Sequence, residues 1–205
     1  MSTLRRWVVG QFGRPRGVGG RLAGWIMSMR PSNRIRNAET IRLLDIRASD
    51  VVVEIGCGPG LGVEAARRIA CEGLVLGLDW SPLMLRQTLK RLQKSGLSAK
   101  AGVIEGDASS VVAMAPAATR IFGVNVAQFI PDRADLINRL AQEMPPEARL
   151  AFTYQPREKK PTAKAALEMA ETLETEMKVA GLEVRKVQIP LTPVPAWCVI
   201  GDKRR

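Results

Sequence analysis

From residue 51 onward, short apolar runs alternate with stretches whose apolar positions recur every three or four residues. The runs predict strands near 51–55, 74–79, 101–105, 119–126, 148–155, 183–189 and 196–201. The stretches between them predict helices over 61–71, 82–95, 132–144 and 162–180, with only a weak element near 109–115. This alternation predicts a largely parallel sheet covered by helices on both faces. The helix at 162–180 presents Leu167, Ala170, Leu173 and Met177 as a core stripe, and Gly181 supplies its stop signal. Upstream, RIRNAETIRLLDI at 34–46 reads as an amphipathic helix preceding the sheet, with Ile35, Ala38, Ile41 or Arg42, and Leu44 near one face. Near the end, Pro190, Pro193 and Pro195 predict a rigid loop between the last two strands, and Trp197 reads as packing on the sheet.

Chemistry enters at the strand ends. The run VVVEIGCGPG at 51–60 leads into a glycine-rich turn, and LVLGLD ends at Asp79 about 20 residues further on, the pattern of a βαβ nucleotide-cofactor unit. The backbone must turn sharply and approach a ligand at Gly56, Gly58 and Gly60. A dinucleotide fingerprint would place its third glycine where Leu61 stands, so it is broken here. What remains is E-x-G-x-G-x-G from Glu54, with Gly62 beyond.

That motif resembles the first motif of the class I S-adenosylmethionine-dependent methyltransferases, and three later segments keep their order and spacing: LDWSPLML at 78–85, EGDA at 105–108 and FGVNVAQFIPD at 122–132. The resemblance covers roughly residues 33–202 and implies a doubly wound α/β fold. Its mostly parallel, seven-stranded, Rossmann-like sheet would carry the final strand antiparallel between its neighbours. It implies a cofactor site in which Glu54 faces the methionine ammonium, beside Gly56, Cys57, Gly58 and Gly60 of the loop. Asp79 would hold the ribose hydroxyls and Trp80 or Met84 cover the adenine. After Gly106, Asp107 would take the adenine amino group and the Ala108 amide a ring nitrogen, although Asp107 also suits a turn cap. Asn125 would stand near the methionine moiety, and Gln128, Phe129 and Tyr154 would shape the acceptor pocket. Tyr154, Asp132 and Glu39 could act as bases only without diagnostic spacing, so no catalytic residue is assigned. EMPPEARL at 143–150 departs from the glycine-containing turn that relatives often have before the fifth strand.

Composition narrows the chemistry further. A chain of 205 residues with 46% hydrophobic content is enough for one complete core. Cys57, Cys71 and Cys198 have no C-x-x-C spacing and histidine is absent, so neither a disulfide framework nor a metal is expected. A reducing, cytoplasmic setting fits. Charge is localised: residues 1–47 hold ten arginines against Glu39 and Asp45, a balance of +8 within a net charge of +11. This divides the chain into a basic segment at 1–32, partly mobile or lid-like, and a methyltransferase domain at 33–205. A lid over roughly 20–47 would turn Trp25, Met29, Asn33 and Asn37 toward the active site. Residues 22–29 are too few to span a bilayer, and no secretory signal is apparent, though the arginine richness also fits a transit peptide.

The expected reaction is methyl transfer from S-adenosylmethionine to a small-molecule O, N or C nucleophile, leaving S-adenosylhomocysteine. Alternatives are an RNA methyltransferase, a membrane-lipid or quinone methyltransferase in peripheral contact through residues 1–30, and a non-methylating S-adenosylmethionine-binding protein. Nucleic acid is not expected as the partner, because Asn125-Val126-Ala127-Gln128 stands where an Asn-Pro-Pro-aromatic signature would be.

Overall fold

The computed structural model describes residues 31–158 and 160–204. Trp25 and Met29 lie outside the described residues. Helix α1 spans Pro31–Leu44, with proline at its first position, where a missing N–H goes unused. There follow β1 Val51–Ile55, α2 Leu61–Ile69, β2 Leu74–Asp79, α3 Pro82–Lys94, β3 Ala101–Glu105, a 3₁₀ helix Ala108–Ala117 and β4 Arg120–Val124. A short 3₁₀ turn Ala127–Phe129, α4 Arg133–Glu143, β5 Arg149–Tyr154, α5 Ala163–Val179, β6 Glu183–Ile189 and β7 Ala196–Asp202 complete the order. The weak element foreseen near 109–115 is the first 3₁₀ helix.

All seven strands form one sheet in the order β3-β2-β1-β4-β5-β7-β6. Strands β1 to β5 pair in parallel, and β7 lies antiparallel between β5 and β6. Alternation within each strand serves two cores. On one face Val53, Ile55, Ile121, Leu150, Phe152 and Val199 meet the first 3₁₀ helix, α4 and α5 through Val111, Leu136, Ile137, Leu140, Leu173 and Met177. On the other, Val52, Val75, Phe122, Ala151 and Ile200 meet α1, α2 and α3 through Ile41, Leu44, Val63, Ala66, Leu85 and Leu92. Trp197 is partly buried against the first core, as its position implied. The turn before β5 dispenses with glycine by placing Glu147 in the left-handed region at φ 65°.

One expectation is corrected. Helix α1 does not present Ile35 and Ala38 to the sheet: Ile35 is 45% exposed and Ala38 is exposed, as is Arg42. The buried face runs through Asn33, Arg36, Asn37 and Thr40 before reaching Ile41 and Leu44. The reason lies in what the helix covers. Its C-terminal half meets apolar sheet, whereas its N-terminal half crosses the polar carboxyl ends of β4 and β5. There Thr40 Oγ1 bonds Thr153 Oγ1 at 2.6 Å and Arg36 bonds Gln155.

The C-terminal end of α1 is gripped by arginines from the sheet. Arg120 Nε donates to Leu44 O at 3.0 Å and its NH2 to Asp45 O at 3.3 Å. Arg149 NH1 donates to Leu43 O and Leu44 O, each at 3.2 Å, with Arg185 NH2 3.5 Å from Leu43 O. Cations at these carbonyls satisfy groups that a helix end leaves unpaired and oppose its dipole.

Candidate active site

The strand order reverses direction between β1 and β4, and ligands of open α/β sheets bind at such a switch point beyond the carboxyl ends of the strands. There the loop at 56–60 is built on left-handed backbone. At Gly56, φ is 66° and a Cβ would come within 2.5 Å of Val126 Cγ2; at Gly58, φ is 52° with no atom within 4 Å of where a Cβ would stand. Gly56 is therefore required by packing, whereas Gly58 leaves open space beside a ligand position. Thr88 Oγ1 donates to Gly58 O at 2.8 Å and Arg91 Nε to Pro59 O at 2.8 Å, so α3 holds the loop from below.

Asp79 closes the loop from the other strand. Its Oδ2 accepts from Gly58 N and its Oδ1 from Ser81 N, each at 2.9 Å. Burial raises its pKa, against the pull of the Ser81 and Gly58 amides. Each carboxylate oxygen keeps a second lone pair, so these bonds pre-orient the group without consuming it. Glu54 is fully enclosed. Burial drives its carboxyl well above the ordinary value, the Val63 amide opposing and Asp79 adding to the rise. Gly62 makes room for it, since a Cβ there would lie 2.4 Å from Glu54 Oε1. Glu54 Oε2 has no hydrogen-bond partner among the described residues, and a cationic ligand group or a bridging water would satisfy it.

The other predicted positions separate clearly. Trp80 is 41% exposed beside Asp79, whereas Met84 is 2% exposed and buried by α3, which leaves it no face for a ring. Asp107 caps the first 3₁₀ helix through Oδ1, which accepts from Ser109 N at 2.9 Å and Ser110 N at 3.3 Å. The Ser109 hydroxyl bond and these amides hold its pKa down, and Oδ2 is left for a ligand donor. Gly106 N bonds Asp79 O at 3.2 Å, and Ala108 opens the first 3₁₀ helix two residues on.

On the far side of the loop Asn125 adopts φ 54° and exchanges two bonds with Gln155: Asn125 Nδ2 to Gln155 O at 2.8 Å, and Gln155 N to Asn125 Oδ1 at 2.9 Å. Gln128 Nε2 donates to Asn125 O at 2.9 Å, while its buried Oε1 has no partner. Phe129 is 62% exposed, and Tyr154 is buried with its phenol pKa raised by burial, so it is a proton donor rather than a base at neutral pH. Glu39 faces Arg42 on the outer side of α1 at 2.9 Å, away from the sheet. Asn33 and Asn37 do lie on the buried face of α1. The sequence reading passed over Arg36, Thr88, Gln155 and Arg157. The signal was present as a polar stripe at 33, 36, 37 and 40, spaced as regularly as any apolar one.

Comparison with known proteins bears on this arrangement. A family profile described as a methyltransferase domain matches residues 52–147, from β1 through the turn before β5. The "uncharacterized methyltransferase YdaC" of Bacillus subtilis is 25% identical over 183 residues, covering 89% of this chain and 98% of its own. The profile, the relatives and the solved structures together support a class I S-adenosylmethionine-dependent methyltransferase. A trans-aconitate 2-methyltransferase of Methylobacterium nodulans is 32% identical over 114 residues, 56% of this chain but only 42% of that protein. The fold matches a crystal structure of a SAM-dependent methyltransferase from Aquifex aeolicus with a TM-score of 0.70 at 16% identity, covering 85% and 94% of the two chains.

S-adenosylmethionine is accordingly the cofactor of this methyltransferase, and the residues present fit it. Glu54 Oε2 would answer an ammonium, the open face of Gly58 would admit a backbone-close ligand, and Asp79 would accept from two hydroxyls. When bound, the cofactor supplies an activated methyl group on a sulfonium. The chain's own part, as its bonds show, is to fix the loop and the Asp79 carboxylate in place.

Proposed function

We propose that this methyltransferase acts on an O, N or C nucleophile of a small molecule, by proximity and in-line orientation. The observation that carries the reading is the buried polar cluster between α1 and the ends of β4 and β5. Asn33, Arg36, Gln155 and Asn125 form a continuous hydrogen-bonded wall under a helix that crosses the acceptor side. Such a wall selects a compact polar molecule, whereas an RNA site presents an exposed basic groove. The relatives named for trans-aconitate act, by that name, on a small molecule. Asn33, Asn37, Gln128 and Gln155 orient a substrate and do not take its proton. Glu54, Asp79, Trp80 and Asp107 serve as cofactor contacts with the loop glycines, and Asn125 stands between cofactor and acceptor. No described helix is long and apolar enough to cross a membrane.

The test is a transfer assay with methyl-labelled S-adenosylmethionine against small organic acceptors and total RNA, with Asp79→Ala as control. Label in a small-molecule product, absent with Asp79→Ala, is expected. Label confined to RNA would overturn the reading.

A further inference from the structure

The turn that carries Gln128 and Phe129 is held from behind by one arginine. Arg133, the first residue of α4, donates through Nε and NH2 to the two carboxylate oxygens of Glu176 on α5, at 2.7 and 2.8 Å. That fork-to-fork pairing fixes the plane of the guanidinium and leaves NH1 to reach back to Ala127 O at 3.1 Å. Only 14% of the Arg133 side chain and 17% of the Glu176 side chain are exposed. A cation at the first position of a helix opposes the helix dipole, so local structure gives no reason for an arginine there. Its tertiary bonds do.

Among the described residues, no other side chain from outside residues 125–130 bonds this turn. On one side the turn is wedged against the cofactor loop, where Val126 Cγ2 would come within 2.5 Å of a Cβ on Gly56. On the other, a cavity of about 330 Å³, bordered by Ile130, Pro131 and the Arg133–Glu176 pair, gives it room to retreat. Packing leaves that side open, and the Arg133 bond closes it. We infer that Arg133, aimed by Glu176, is a positioning residue for methyl transfer: it holds the Ala127–Phe129 turn against the cofactor loop and so sets where Gln128 and Phe129 stand. This rests on the reading of those two residues as part of the acceptor side, where a misplacement of about 1 Å can cost on the order of a hundredfold in rate.

The experiment is fluorine NMR of the full chain labelled with 4-fluorophenylalanine, the Phe129 resonance being assigned through Phe129→Leu, beside calorimetric titration with S-adenosylhomocysteine. Phe122 and Phe152, both fully buried, report whether the fold is kept. In Arg133→Gln the Phe129 resonance should move toward that of the free amino acid, and S-adenosylhomocysteine affinity should fall about tenfold as the cofactor loop loses its backing. Arg133→Lys keeps a charge for Glu176 but loses the fork, and should behave like Arg133→Gln. Glu176→Gln leaves the guanidinium unaimed and should move the resonance the same way. Arg139→Gln removes a different ion pair of α4, with Asp135 at 2.8 Å, and should change neither readout. The inference is overturned if Arg133→Lys matches the parent, as mere bracing of α4 to α5 by charge requires, or if either readout in Arg133→Gln stays at the parental value. It is equally overturned if Arg139→Gln reproduces the effect. Where Arg133→Gln displaces Phe122 and Phe152 as well, Arg133→Lys and Glu176→Gln decide in its place. Neither readout needs an acceptor, so failure of the small-molecule reading in the transfer assay is told apart from failure here. Failure of S-adenosylhomocysteine to bind the parent would overturn the cofactor site and this inference with it.

Discussion

Glu54 carries a carboxyl group with one oxygen bonded to no partner, in a place where burial disfavours its charged form. A folded-state pKa raised above the unfolded value stabilises the fold fully below the ordinary glutamate range. That contribution is lost as pH rises through the raised value. The ligand-free protein should therefore lose stability as pH climbs from the ordinary value of 4.5, and Glu54→Gln should flatten that slope, read as urea midpoints across pH. Asp79, raised also by burial, leaves part of the slope in the variant. Asp79→Ala releases Gly58 N and Ser81 N together, and hydrogen bonds to charged groups contribute about 1.5 to 3 kcal/mol, so S-adenosylhomocysteine affinity should fall at least about tenfold by calorimetry. At this scale much was legible. Glycine spacing and the acid ending β2 depend on short segments of chain, whereas Thr88, Arg36 and Gln155 enter the site through contacts 30 to 119 positions apart.

The inner strands could be placed from sequence because they are apolar on both faces of a covered sheet, and the edge strand β6 because Val184, Val187 and Ile189 punctuate its charges between turn residues. Strands β2, β3 and β6 fall at the bounds the pattern implies, 74–79, 101–105 and 183–189. Helix α1 was legible as a helix but not in its orientation. Periodicity finds the apolar face and assumes an apolar partner, and here the partner is partly the rim of a site. Beneath its other end, Arg120 pairs with Asp50 at 3.5 Å while both are buried. Removing one member of a buried pair typically costs about 3 to 5 kcal/mol, so Arg120→Ala should lower the urea midpoint markedly. Arg47 N at 2.7 Å and Thr119 Oγ1 at 2.8 Å still bond Asp50, which places the expected loss near the low end, about 3 kcal/mol.

The molecule as a whole is one sheet with a core on each face, and β1, β4, β5 and β7 contribute side chains to both. Neither core can open without breaking strands the other uses. Urea unfolding followed by far-ultraviolet circular dichroism and by tryptophan fluorescence should therefore give coincident transitions; separated midpoints would show that the faces unfold independently. Sequence alone located the excess positive charge but not its use, because an arginine's partner is set by tertiary contact. Arg120 and Arg149 look like surface charge in a string of letters, and they grip a helix end. Their grip is on backbone oxygens of residues 43 to 45. A hold on main chain is indifferent to the side chains further up the helix. Residues 33, 36, 37 and 40 are bonded among themselves and to β5 instead, so α1 is moored twice, by main chain at one end and by side chains at the other.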